Sequence, residues 1–186
     1  MHEALTAVRH TFEGMSKTTQ SQLYTLIIVF FFWGFVAASN GIFIPFCKAH
    51  FSLSQFQSQL IDLTFYGGYF VGSVLLFIYT TISKNDLLNR IGYKKGIVYG
   101  LGISALGALA IIPAVYAGSF ALILGSFFIV ALGFSLQQTA AQPYAASLGT
   151  PETGAHRLNL AGGINSLGTT LGPIIVSYLL FGSIGG

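Results

Sequence analysis

Asp62 is the one acid within the long apolar stretches of this 186-residue chain, and those stretches also carry recurring amides and hydroxyls. The first stretch offers Ser39 and Asn40. The second offers Asp62, with Tyr66 one helical turn later on the same face and Tyr69 close by. The fourth offers Gln137, Gln138, Thr139 and Gln142, where Gln138 and Gln142 share a face at i, i+4. The fifth offers Asn159, Asn165 and Ser166. Amides and hydroxyls present donors and acceptors together. That suits a neutral polyhydroxylated solute such as a sugar, with the rings of Trp33 or the tyrosines stacking on its C–H side. Taken singly, each amide fits an interhelical hydrogen bond as well as a solute contact. Four stretches each contributing polar groups favour a polar cavity, with Asn40, Tyr66, Gln138, Gln142 and Asn165 as candidate solute contacts.

Asp62 sits about seven residues from the outer end of its stretch, roughly 10 Å deep at a helical rise. Its carboxylate suits ion or proton coupling, or acceptance from a sugar hydroxyl. The plainer alternative is a carboxylate that reaches the outer interface or pairs structurally. No nucleophile–base pair, metal-ligand cluster or phosphate-binding loop stands out, so no enzyme is expected. No cofactor or metal is expected either, beyond a coupling cation, proton or sodium. Cys47 is the only cysteine, which excludes an intrachain disulfide and a thiol metal cluster.

The elements that carry these residues follow from composition. Hydrophobic residues make up 53% of the chain and charged ones 7%, against roughly 25% charged in ordinary soluble domains. With a mean hydropathy of +0.73, the chain has too few charges to cover a water-facing surface, and the lipid bilayer is its expected partner. No Asp, Glu, Lys or Arg falls between Thr18 and Cys47, between Gly96 and Pro151, or after Arg157. A membrane-spanning helix needs about 20 mostly apolar residues. The middle stretch therefore divides in two, with a break around Pro113 and Ala117-Gly118-Ser119. The expected fold is an all-α integral membrane protein with helices over roughly 23–47, 55–82, 96–116, 120–146 and 157–182. Residues 1–22 are mixed polar, without the short apolar core of a signal peptide, and are expected to form a cytoplasmic tail before a transmembrane region, 23–186.

Lys84, Arg90, Lys94 and Lys95 crowd the second loop and Arg157 flanks the fourth, while the first carries only Lys48 and the third no charge. The positive-inside rule then places the N-terminus and the second and fourth loops in the cytoplasm. The net charge of +3 is accounted for by these loop cations, and no nucleic-acid partner is expected. The stretches also repeat in pairs. Asn40 precedes Pro45 as Gln138 precedes Pro143, and Asp62 precedes Gly67-Gly68 as Arg157 precedes Gly162-Gly163. Such pairing fits a three-plus-three inverted repeat whose sixth helix is missing, a transporter device with its site near the midplane; chance spacing in glycine-rich sequence is the alternative. Gly68/Gly72, Gly96/Gly100 and Gly168/Gly172 are GxxxG pairs, expected to pack helices rather than bind ligand. Packing and lipid contact are also expected of Phe30 to Trp33. Pro45 and Pro143 each remove a backbone hydrogen bond near a helix end, permitting a kink.

At these residues the chain resembles the major facilitator superfamily, and within it the fucose:proton symporter family of glucose, galactose and fucose permeases. Asn85-Asp86-Leu87-Leu88-Asn89-Arg90-Ile91-Gly92-Tyr93-Lys94-Lys95 stands where the superfamily has G-x-x-x-D-R-x-G-R-K, with Asn85 replacing the Gly and Asn89 the Asp. That resemblance makes Arg90, Gly92, Lys94 and Lys95 a conformational-switch loop with weakened charge pairing. Further likeness lies in Trp33 to Pro45, in Phe56-Gln57 through Tyr66-Gly67-Gly68-Tyr69-Phe70, in Thr139-Ala140-Ala141-Gln142-Pro143, and in Arg157-Leu158-Asn159-Leu160-Ala161 with Asn165-Ser166. Proton-coupled fucose permeases carry an Asp where this chain has Gly41 and a Glu where it has Gln138, so their coupling mechanism does not carry over. The pattern is closer to the glucose/galactose branch, with Asp62 as the candidate substitute.

The resemblance implies five helices of an incomplete N-terminal six-helix bundle, in a bacterial inner membrane. The expected function is monosaccharide transport by alternating access, with a missing C-terminal transporter half as partner, so the chain is read as truncated. The alternatives are a non-transporting sugar sensor or inert permease fragment, and an exporter of amphipathic compounds from the same superfamily.

Overall fold

The computed structural model describes Thr6, residues 17–83 and residues 87–182. In hydrocarbon every backbone N–H and C=O must be bonded within its own segment, so apolar stretches of this length fold as helices. In order they are α1 (Lys17–His50), α2 (Gln55–Ser83), the short α3 (Leu87–Ile91), α4 (Tyr93–Tyr116), α5 (Phe120–Ser147), a 3-10 turn (Pro151–Thr153) and α6 (Gly154–Phe181). Five of them, α1, α2, α4, α5 and α6, are long and apolar enough to cross a membrane. The five expected spans are all present, with ends moved by a few residues. α1 begins at Lys17 rather than 23, and α6 at Gly154 rather than 157. Most of the expected tail, together with Lys84, Asn85 and Asp86 between α2 and α3, lies outside the described residues.

Local chemistry sets the helix ends. Ser54 and Gln57 form a reciprocal capping box at the start of α2: the Gln57 amide donates to Ser54 Oγ at 3.2 Å and the Ser54 amide to Gln57 Oε1 at 2.9 Å. The expected break after α4 falls at Ala117–Ser119, while Pro113 stays inside the helix. There the Ser119 amide reaches the Ala114 carbonyl and the Gly118 amide the Val115 carbonyl, with Gly118 at φ 62°, a Schellman closure. Gly92, between α3 and α4, has φ 85° and ψ 146°, a conformation open almost only to glycine.

The chain forms two compact units. One takes the described residues up to Phe43 and from Gln142 onward; the other is Ile44–Ala141. In the second unit α2 lies against α5. A Cβ on Gly68 would come 2.9 Å from Ala131 Cβ, and one on Gly72 would come 2.8 Å from Ser135 Cβ. Phe65 and Phe134 meet edge to face at 5.5 Å on the same seam. α4 lies against α5 through Gly96, close to Ala140, and Gly100, close to the Gly133 carbonyl. In the first unit α1 and α6 touch backbone to backbone: Gly168 faces the Phe31 carbonyl and Gly172 the Phe35 carbonyl. All three GxxxG pairs are thus packing surfaces, as expected where close approach supplies the attraction between helices. Phe56, Phe77 and Leu179 are each more than two-thirds exposed, a surface that is stable against hydrocarbon and costly against water.

Candidate solute-binding site

In the Ile44–Ala141 unit, α2 carries Asp62, Tyr66 and Tyr69 within two turns, and α5 carries Gln138. The residue that α2 extends to Gln138 is Tyr69, whose hydroxyl donates to Gln138 Oε1 at 3.0 Å. Tyr66 is 57% exposed and its ring meets Phe65 edge to face at 5.6 Å. Asp62 is half-buried and forms no ion pair or hydrogen bond among the described residues. One turn below the tyrosine–glutamine bond, the hydroxyls of Ser73 and Ser135 meet at 3.3 Å. Gln137, the neighbour of Gln138, is fully buried and turned the other way. Its Nε2 donates to Ser104 Oγ at 2.8 Å, and Ser104 donates to the Val130 carbonyl at 3.0 Å. This is a structural polar seam between α4 and α5, so of the two adjacent glutamines only Gln138 presents a free group.

In the other unit, Asn40 is 5% exposed and its Nδ2 has no hydrogen-bond partner among the described residues. A buried amide left unpaired is unfavourable by about 1–3 kcal/mol, and such orphans mark places where another group or another conformation supplies the partner. Asn165 donates from Nδ2 to the Phe30 carbonyl at 2.9 Å, tying α6 to α1, so its Oδ1 and the second N–H of Nδ2 are left for a solute. Gln142 is exposed, with no side-chain hydrogen bond among the described residues. Trp33 is buried and packs on Phe30 at 4.6 Å, which removes it as a stacking face.

Arg157 is the largest surprise. Expected as a loop cation, it is fully buried in the first turn of α6. Its Nε donates to the Ala145 carbonyl at 2.9 Å, Nη2 to the carbonyls of Ala146 at 2.5 Å and Thr150 at 3.0 Å, and Nη1 to Thr153 Oγ1 at 2.6 Å. The guanidinium thereby satisfies the carbonyls left open at the C-terminal end of α5, the negative end of that helix's dipole. The spacing after Pro151 gave no hint of this, since one cation near a helix end reads equally well as an orientation signal.

Of the residues expected to form a switch loop, Arg90, Lys94 and Lys95 are exposed and carry no side-chain partner among the described residues. A Cβ on Gly92 would meet nothing within 4 Å, so its backbone angles rather than crowding call for glycine. Among the described residues, no three His, Cys, Asp or Glu side chains group as metal ligands.

The model of the Major Facilitator Superfamily matches residues 25–185. The chain belongs to that superfamily. It is 41% identical over 171 residues to a glucose/galactose transporter of Brucella abortus, covering 92% of this chain and 40% of the relative. It is 33% identical to the L-fucose-proton symporter of Escherichia coli, covering 92% of this chain and 37% of that protein. The crystal structure of the Major Facilitator Superfamily transporter FucP in the outward conformation superposes with a TM-score of 0.70 at 34% identity, over 87% of this chain and 37% of that one. The chain thus spans about 40% of the length of the curated relatives it matches. As a Major Facilitator Superfamily chain with five apolar spans it is a multi-pass membrane protein, and the relatives it matches are named as transporters rather than enzymes.

Proposed function

We propose that this chain supplies the N-terminal spans of a monosaccharide permease working by alternating access, with a hexose such as glucose, galactose or fucose as substrate. The observation that carries the reading is the set of amide, phenol and carboxylate groups left with free hydrogen-bonding capacity inside apolar spans: Gln138, Tyr66 and Asp62 in one unit, and Asn40, Gln142 and Asn165 in the other. Neutral donors and acceptors recognise hydroxyls, and a lipid-like solute would leave them unpaired at a cost of about 1–3 kcal/mol each. The 41% identity to a glucose/galactose transporter supports the same class. In this reading the rest of the path comes from a C-terminal transporter half of the kind the relatives' greater length provides. Asp62 is the coupling carboxylate for a proton or sodium, and Arg90, Gly92, Lys94 and Lys95 belong to the loop that switches conformation. The protein sits in a bacterial inner membrane with its N-terminus in the cytoplasm.

Equilibrium binding of radiolabelled glucose, galactose and fucose to the purified chain in lipid nanodiscs tests the proposal. Saturable binding of at least one hexose, displaced by unlabelled hexose and not by an amphipathic cation, is expected. Displacement by the amphipathic compound alone would replace the sugar reading with that of an exporter.

A further inference from the structure

Gln138 has one amide oxygen and two amide hydrogens to offer, and the oxygen is already engaged. The Tyr69 hydroxyl donates to Oε1 at 3.0 Å, and Gln138 has no other hydrogen-bond partner among the described residues. A phenol O–H held against Oε1 takes one of that oxygen's two lone pairs, sets the oxygen end of the amide toward Tyr69, and leaves both N–H groups of Nε2, a pure donor, uncommitted. The bond sits on a stiff seam. Gly68 and Gly72, either side of Tyr69, bring α2 into contact with Ala131 and Ser135 of α5. Phe65 packs on Phe134 and Ser73 meets Ser135, so α2 and α5 are in contact one turn to either side of Tyr69. Half-buried rather than sealed, Gln138 keeps that donor end accessible.

We propose that Tyr69 is a positioning residue that locks Gln138 as a hydrogen-bond donor, so that this point of the site selects a solute oxygen for its acceptor lone pairs. The inference rests on the hexose reading above and deepens it, because it assigns the polarity of one contact. An amide held with its donor end toward the solute tolerates a hydroxyl or a fluorine in the contacted position and penalises a hydrogen there. A free amide, able to turn either end outward, distinguishes the two replacements poorly.

The test is a panel of the bound hexose in which each hydroxyl in turn is replaced by hydrogen or by fluorine, measured by displacement from the 186-residue chain in nanodiscs. In the wild type, one position should show deoxy binding weakened about tenfold, the loss of one hydrogen bond, with fluoro binding within about threefold of the parent. Tyr69→Phe should close that gap to about twofold at that position only, with its thermal unfolding unchanged. Gln138→Glu keeps an acceptor for Tyr69 and presents a carboxylate oxygen instead of an N–H. There the fluoro analogue should become the worse ligand, an inversion that a merely structural role would not produce. If Tyr69→Phe fails to fold, the inversion in Gln138→Glu decides alone. A wild-type panel with equal deoxy and fluoro affinities at every position, or a Tyr69→Phe panel identical to wild type, overturns the positioning role while leaving hexose binding standing. Failure of the wild type to bind any hexose overturns the proposed function and this inference with it.

Discussion

Arg157 illustrates how a full charge is held inside this protein with no acid paired to it among the described residues. Four neutral oxygens take its hydrogen bonds, and three of them are carbonyls at or just beyond the end of α5. The planar fork reaches them together, which an ammonium at a single point does not. Arg157→Lys and Arg157→Ala should therefore both lower unfolding stability in detergent, with each carbonyl left unpaired contributing on the order of 1–3 kcal/mol. A lysine variant with wild-type unfolding temperature would refute the fork argument. Asp62 is the opposite case, a half-buried carboxylate with no partner among the described residues. If it couples a cation, hexose affinity in nanodiscs should change with sodium concentration or pH, and Asp62→Asn should flatten that dependence while leaving a measurable affinity. Dependence that survives the substitution, or a wild type indifferent to both ions, would remove Asp62 from the coupling role.

Contacts between helices turn on a few glycines whose missing Cβ lets backbones meet. A Cβ at Gly34 or Gly168 would run into the carbonyl of Asn165 or Phe31, whereas one at Gly41, also in α1, would meet nothing within 4 Å. Gly34→Ala and Gly168→Ala should each cost about 1–3 kcal/mol, as overpacking does. Gly41→Ala should be neutral or stabilising by up to about 1 kcal/mol through helix propensity. Thermal unfolding of the three variants side by side checks the ranking, and equal behaviour would sink it. These contacts also show what sequence pattern can carry. Span number, the break at Gly118 and the role of the GxxxG pairs were all legible, because span length and small-residue spacing are local properties. The partners of the polar groups were not. That an amide in an apolar span needs a partner is a local statement; which atom supplies it depends on the rotation of one helix against another. So Asn165 is tied to the Phe30 carbonyl, Gln137 to Ser104, and Gln138 to Tyr69 rather than Tyr66. Only the three-dimensional packing distinguishes these from free groups.

At the scale of the whole molecule the open question is orientation, and the buried Arg157 alters its basis. A cation with no exposure cannot serve as a solvated anchor, so the positive-inside argument rests on the loop between α2 and α4. That loop and the first turn of α4 hold Lys84, Arg90, Lys94 and Lys95. Against it stand Lys48, bound to Gln55 Oε1 at 2.6 Å, and an α4–α5 connection with no charge. Four cations against one still favour the cytoplasm for the α2–α4 loop, and five alternating helices then fix every other connection. The lone native cysteine, Cys47, is 2% exposed, so a Cys47→Ala background leaves single introduced thiols as the only reactive sites. Lys95→Cys and Glu152→Cys should react with a membrane-impermeant maleimide only in inverted vesicles, and Ser52→Cys and Ala117→Cys only in right-side-out cells. Labelling of Lys95→Cys from outside would reverse the topology. Labelling of Lys95→Cys and Ala117→Cys from the same side would go further and break the rule that α4 crosses the bilayer, which its 24 residues, about 36 Å of helix, are long enough to do.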